Sequence, residues 1–140
     1  MSLKFAFVDS AYFVALAVET DQWHEAASAS LRKTERENLQ LVTTWPVLLE
    51  VGNSLTKRKF RSAGAALIES ILSDPAFTIV PLDDELLHGG LKLFAERADK
   101  EWSLTDCISF LVMRQHGLDE ALTSDEHFAQ AGFRALLLKK

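Results

Sequence analysis

The sequence predicts an α/β fold, a three-layer α/β/α sandwich around a mostly parallel sheet, in one domain over residues 1–140. Three observations predict it. Short apolar runs alternate with amphipathic stretches along the whole chain, the pattern of strands joined by crossover helices. A length of 140 residues lies near the commonest domain size and is enough for one sizeable core. With 48% hydrophobic and 25% charged residues, three prolines and no low-complexity run, the chain has the composition of an ordered protein. No internal repeat is visible.

Leu3 to Val8 is a short apolar run that ends at an acid, Asp9, and reads as a buried strand. Ser10 to Val18, apolar almost all round, reads as a buried helix. Asp21, a good N-cap residue, opens an amphipathic helix through Ala26, Ala27 and Leu31. Leu39 to Thr43 is the second strand. Thr44-Trp45-Pro46 then starts a helix with proline in its first turn, where no intrahelical N–H is needed. Val47, Leu48, Val51 and Leu55 form its core stripe, and Glu50, Asn53, Ser54 and Lys57 form a polar stripe beside it. The spacing predicts a helix over Ser62 to Leu72, stopped by Ser73-Asp74-Pro75, then a strand over Phe77 to Val80 and a long helix over Asp83 to Ala98. Ser103 to His116 reads as a helix, Ala121 to Thr123 as a strand end, Asp125 to Ala131 as a short helix and Arg134 to Leu138 as a last strand.

A net charge of -5 means that nucleic acid cannot be held by bulk attraction, only by a local basic patch or bound cations. The lone Cys107 excludes an internal disulfide and a cysteine zinc site; in its apolar run it reads as a buried, inert thiol. A reducing cytoplasm fits that usage. Lys4 and the apolar stretch behind it imitate a secretory signal, but Asp9 interrupts the stretch with a charge. No stretch is long and apolar enough to span a membrane.

In parallel sheets ligands gather beyond the carboxyl ends of the strands, at the topological switch point. Asp9 and Asp125 fall just past predicted strand ends, and Asp106 in the first turn of a helix, so these acids can converge. Each also has a simpler explanation. Ser103-Leu104-Thr105-Asp106 resembles a capping box, and Asp125 near a helix start is favoured by the helix dipole. Glu50 on a surface helix is ordinarily solvated. Asp9, ending an apolar strand with little cationic compensation nearby, is the least easily explained by structure. Carboxylates gathered at a sheet edge repel one another, and a divalent cation resolves the conflict. Mg²⁺, with Mn²⁺ as substitute, suits an all-oxygen set, and the lack of a His/Cys set disfavours zinc. The chemistry expected of such a site is phosphodiester hydrolysis.

Four segments in this order, Phe7-Val8-Asp9-Ser10, Pro46-Val47-Leu48-Leu49-Glu50-Val51, Ser103-Leu104-Thr105-Asp106-Cys107 and Leu122-Thr123-Ser124-Asp125-Glu126-His127-Phe128, give the chain a resemblance to the PIN-domain nucleases, in particular the small VapC-type toxins of toxin–antitoxin pairs. The resemblance covers the whole chain. It implies a PIN-like fold and a catalytic metal site of Asp9, Glu50, Asp106 and Asp125, with Ser103 or Thr105 as a supporting hydroxyl. It also implies endonuclease action on RNA as the toxin of a type II pair, a homodimer, and inhibition by a small antitoxin that covers the site. Asp21-Gln22-Trp23-His24-Glu25-Ala26-Ala27 matches a recurring stretch of these toxins in which His24 reads as structural. Neither His24 nor His127 has ligand spacing to a second histidine, and the metal chemistry needs no histidine base.

Lys57, Arg58, Lys59 and Arg61 form the concentrated basic patch, placed by the periodicity about two turns beyond Glu50 on the same helix and into the following turn. It either holds RNA phosphates or is a solvated helix C-terminus favoured by the dipole. Acidic stretches such as Asp83-Asp84-Glu85 and Asp119-Glu120 weigh against long RNA. A receiver-like signalling domain would want an adjacent acid pair after the first strand, and a dehalogenase-type phosphatase Asp-x-Asp; Val8-Asp9-Ser10-Ala11 offers neither. The alternative left standing is a non-catalytic PIN-like module that binds RNA or protein.

Overall fold

The structure, a computed structural model, describes residues 4–138. Among them the elements run β1 Phe5–Val8, α1 Ser10–Ala17, α2 His24–Arg36, β2 Gln40–Thr44, α3 Trp45–Ser54, α4 Arg58–Ser73, β3 Phe77–Val80, α5 Asp84–Glu96, α6 Leu104–Gln115, β4 Glu120–Leu122, α7 Glu126–Gln130 and β5 Arg134–Ala135. The sheet has the order β3-β2-β1-β4-β5, and every pairing is parallel. Helices cover it on both sides, the three-layer α/β/α sandwich of the sequence prediction.

The order follows from burial. β1 presents Ala6, Phe7 and Val8 at no more than 1% exposure, so it belongs at the sheet centre, covered on both faces. The chain grows outward from β1 through β2 to β3, then returns to the other side of β1 for β4 and β5. That reversal places the switch point between β1 and β4. Val8 pairs with Leu122, so Asp9 and Thr123 leave the sheet side by side. On the other flank the Thr43 hydroxyl donates to the Val8 carbonyl at 2.8 Å, tying the end of β1 to β2. Thr44 then caps α3, its hydroxyl accepting the Val47 N–H at 3.1 Å, with Pro46 in the first turn.

Most boundaries fall within two residues of expectation, and three regions depart further. α2 starts at His24 rather than at Asp21, whose carboxylate accepts the Trp23 N–H at 2.8 Å in a turn ahead of the helix. α3 stops at Ser54, and a new helix starts at Arg58, so the basic residues do not extend the helix of Glu50. β5 is two residues long because the chain turns back after it, Leu138 N–H donating to the Ala135 carbonyl at 3.0 Å. Leu3, the predicted start of the first strand, lies outside the described residues.

Candidate metal centre

Each acid is delivered by a local feature of its own. Asp9 stands where β1 becomes α1; its backbone caps the helix while its side chain makes no cap bond, which leaves the carboxylate for other partners. The Thr123 hydroxyl donates to Asp9 Oδ2 at 2.7 Å and accepts the Asp125 N–H at 3.0 Å. One threonine at the end of β4 therefore holds two of the acids. Asp106 sits in a complete capping box: the Ser103 hydroxyl accepts its N–H at 2.9 Å, and its Oδ2 accepts the Ser103 N–H at 3.1 Å. Asp125 caps α7 by accepting the His127 N–H at 2.9 Å. Glu50, on the polar stripe of α3, accepts the Ser10 hydroxyl at 2.8 Å across the cleft, and Thr105 adds a second side-chain hydrogen bond.

All four acids line one cleft of about 440 Å³ at the carboxyl ends of the strands, with Ser10, Asn53, Ser54, Ser103 and His127. Among the described residues no lysine or arginine lines it. The consequence is visible in the carboxyl groups. Burial, with some repulsion from Asp106 and Asp125, lifts Asp9 to about 7 despite its bond from Thr123. Burial also raises Glu50 and Asp106 above the ordinary carboxylate range, with added repulsion from neighbouring acids. Negative charge is thus gathered and desolvated with no lysine or arginine among the described residues to balance it, only the ring of His127, and a divalent ion with a taste for oxygen ligands fits that donor set.

Geometry separates the acids. One ligand atom each from Asp106, Asp125 and His127 lies within 4.8 Å of the others, while Asp9 and Glu50 stand in the same cleft outside that set. His127 is the residue that sequence reasoning passed over. Its Nδ1 lies 2.9 Å from Asp106 Oδ2 and 3.4 Å from Asp125 Oδ1. Partial burial lowers the basicity of its ring, but the bond to Asp106 and the charges of Asp125, Asp106 and Glu101 outweigh that and raise it. Spacing to a second histidine carries no signal here, because the partners of His127 are acids. Ser10 and Thr123 were likewise unassigned, though each adjoins an acid or stands two residues from one. His24 is structural as expected, its Nδ1 lying 2.7 Å from the Ala15 carbonyl oxygen.

The basic patch is exposed and begins at the N-terminus of α4, with Lys57 as the N-cap and no acid in the first turn. A helix start repels cations, so the dipole explanation offered for a helix C-terminus does not hold here. Lys57 follows Ser54, at the cleft rim, by three residues, a reach of at most about 11 Å. A larger hollow of about 510 Å³ lies at the opposite end of the strands, beside Gln40, Leu41 and Phe77, away from the acids.

The chain matches the family model described as the PIN domain over residues 6–134. Among solved structures it is similar to Mycobacterium tuberculosis VapC20, a sarcin-ricin loop cleaving toxin, at 25% identity and a TM-score of 0.80, with 91% of this chain and 95% of that one covered. It is similar in fold to FitAcB from Neisseria gonorrhoeae, at 19% identity and a TM-score of 0.60, with 93% and 94% covered. A third likeness in fold is to FitAB bound to an IR36 DNA fragment, at 19% identity and a TM-score of 0.63, with 93% and 92% covered. No curated protein sequence matches the chain.

Proposed function

Because the chain belongs to the PIN-domain family, we propose that it is a metal-dependent endoribonuclease that hydrolyses RNA phosphodiester bonds as the toxin of a type II toxin–antitoxin pair. The observation that carries the reading is the convergence of Asp9, Glu50, Asp106 and Asp125 in one cleft that, among the described residues, no lysine or arginine lines. Mg²⁺, or Mn²⁺ in its place, would be held by Asp106 and Asp125, with Asp9 in the same cleft, and would supply charge neutralisation at the scissile phosphate and activation of water. The protein's own part is positioning. Thr123 holds Asp9 and Asp125, the capping box holds Asp106, and Ser10 and Thr105 hold Glu50, so little ordering is left to the moment of reaction. Glu50, outside the tight set and with its carboxyl raised, is the group this reading assigns to taking a proton from the attacking water. Lys57, Arg58, Lys59 and Arg61 would hold flanking phosphates, since the acidic cleft attracts none by itself.

The similarity to a toxin that cleaves the sarcin-ricin loop favours a structured RNA hairpin as substrate. An antitoxin and a second copy of the chain are the protein partners of this reading. Leu87, Leu91 and Phe94, exposed along one face of α5, offer an apolar surface to one of them. Among the described residues no helix is long and apolar enough to cross a membrane, and the reading places the chain in the cytoplasm as a single nuclease domain over residues 1–140.

The test is cleavage of a panel of RNA hairpins, one of sarcin-ricin loop sequence, with Mg²⁺ or Mn²⁺, beside a chelator control and Asp106→Asn. Cutting by the parent alone, abolished by chelator, is expected. Asparagine can still accept the Ser103 N–H and cap α6, so the variant should fold normally while losing activity. Cleavage that persists in chelator and in the variant would refute the metal-nuclease reading.

A further inference from the structure

We propose that His127 is itself a ligand of the cation in this cleft, adding one nitrogen to a set otherwise made of oxygens, so that the site selects a first-row transition ion over Mg²⁺. The inference rests on the metal-nuclease reading and specifies its ion. Its first support is distance. His127 Nδ1 lies 2.9 Å from Asp106 Oδ2 and 3.4 Å from Asp125 Oδ1. Two ligands bound at right angles to one ion, at about 2.0–2.2 Å each, stand about 3 Å apart. These separations are therefore those of neighbouring ligands on one ion, whose place between them a proton takes when no ion is bound.

The second support is how the ring is carried. The His127 N–H donates to Asp125 Oδ1 at 2.9 Å, so the turn that fixes Asp125 also fixes the histidine backbone. Asp106 is fixed from the other side by the Ser103 N–H. Three ligands on two helix starts are thus arranged before any ion arrives. The ring lines the cleft with 29% of its side chain exposed, and a neutral ring with its proton on Nε2 turns the Nδ1 lone pair toward both carboxylates. Imidazole suits Fe²⁺, Co²⁺ or Zn²⁺, and Mn²⁺ less strongly, whereas Mg²⁺ prefers oxygen and gives up its waters reluctantly. A nitrogen here favours the former over the latter.

The competing role for His127 is that of a positioning residue whose Nδ1–H only orients Asp106, and the experiment separates the two. Mn²⁺ is added to the full-length protein, and electron spin-echo spectra and binding isotherms for Mn²⁺ and Mg²⁺ are recorded for the parent, His127→Ala and His127→Gln. Glutamine keeps a donor toward Asp106 but removes the imidazole. Imidazole nitrogen coupling to the bound Mn²⁺ in the parent, absent from both variants, is expected, with Mn²⁺ affinity falling in both variants and Mg²⁺ affinity changing far less. Bound Mn²⁺ without nitrogen coupling, or Mn²⁺ affinity restored by glutamine, would overturn the ligand assignment and leave the metal nuclease standing. No Mn²⁺ binding by the parent would overturn both. Should His127→Ala fail to fold, the parent spectrum and His127→Gln decide.

Discussion

Asp9 is 3% exposed, holds one hydroxyl as its side-chain donor and, among the described residues, shares its cleft with no lysine or arginine. Its carboxyl titrates at about 7 in the fold, against 3.8 as a free side chain. Because the folded value lies above the unfolded one, the folded chain binds more protons between them. Stability is therefore fully present below about pH 4 and is lost as pH rises through about 7. Asp9→Asn keeps an oxygen for the Thr123 hydroxyl and removes the charge. We expect it to raise the melting temperature of the metal-free protein at pH 8, by a gain on the order of a few kcal/mol, and to leave it nearly unchanged at pH 3.5. Mn²⁺ should narrow the difference at pH 8, since the ion offsets the charge of Asp9 in the parent and has one carboxylate fewer beside it in the variant. Equal melting temperatures for parent and variant at pH 8 without metal would contradict the buried-charge account. Asp9 was legible in the sequence because a lone acid closing an apolar strand has few structural explanations. His127 was not, because its acid partner lies 21 residues away on another helix start and is brought to it by folding.

Helices α5 and α6 approach closely because Gly90 has no side chain: a Cβ there would lie 2.6 Å from Ile108 Cγ1, near the α6 backbone and unable to swing away. Gly90→Ala should cost about 1–3 kcal/mol through overpacking, read as a lowered melting temperature. Gly52→Ala in α3 meets nothing closer than Ile68 Cδ1 at 3.8 Å, and should stabilise by roughly 0.5–1 kcal/mol through helix propensity. Similar losses at both sites would show that backbone conformation, and not the α5–α6 contact, sets the outcome. The starts of α3, α6 and α7 were legible because threonine, serine and aspartate caps announce them locally. A separate helix was expected from Ser62, but the place of the break between α3 and α4, ahead of Arg58, was not legible. No proline or glycine marks it, and the polar stripe runs on through Lys57. The chain leaves the helix where Leu55, at 2% exposure, packs against Gly64 of α4, a contact between elements that local pattern does not carry.

Across the whole molecule, charge is divided between an acidic cleft and a basic helix start within a chain of net charge -5. The parallel sheet and the gathering of the acids at its switch point follow from alternation and chain order, so the sequence carried them. The setting of the cations did not follow, because reading Lys57 as a helix C-terminus inverted the sign of its interaction with the dipole. At the start of α4 each cation costs stability, about 0.3–1 kcal/mol at low salt, and the first turn holds no acid to offset it. Arg61 spends one donor on the Thr56 carbonyl at 3.0 Å, whereas Lys57, Arg58 and Lys59 are exposed. Replacing these three by glutamine should therefore have two opposite effects. The protein should melt higher at low ionic strength, and RNA binding, measured in an Asp106→Asn background so that no cutting occurs, should weaken. The slope of log affinity against log salt should also fall by about 0.7–0.9 for each phosphate that the variant no longer neutralises. If the variant melts higher while RNA affinity and salt slope stay as they were, the patch opposes the helix dipole without touching RNA, and the phosphates must be held elsewhere. If both change together, the stability given up at the start of α4 is what lets an acidic protein bring a polyanion to an acidic cleft.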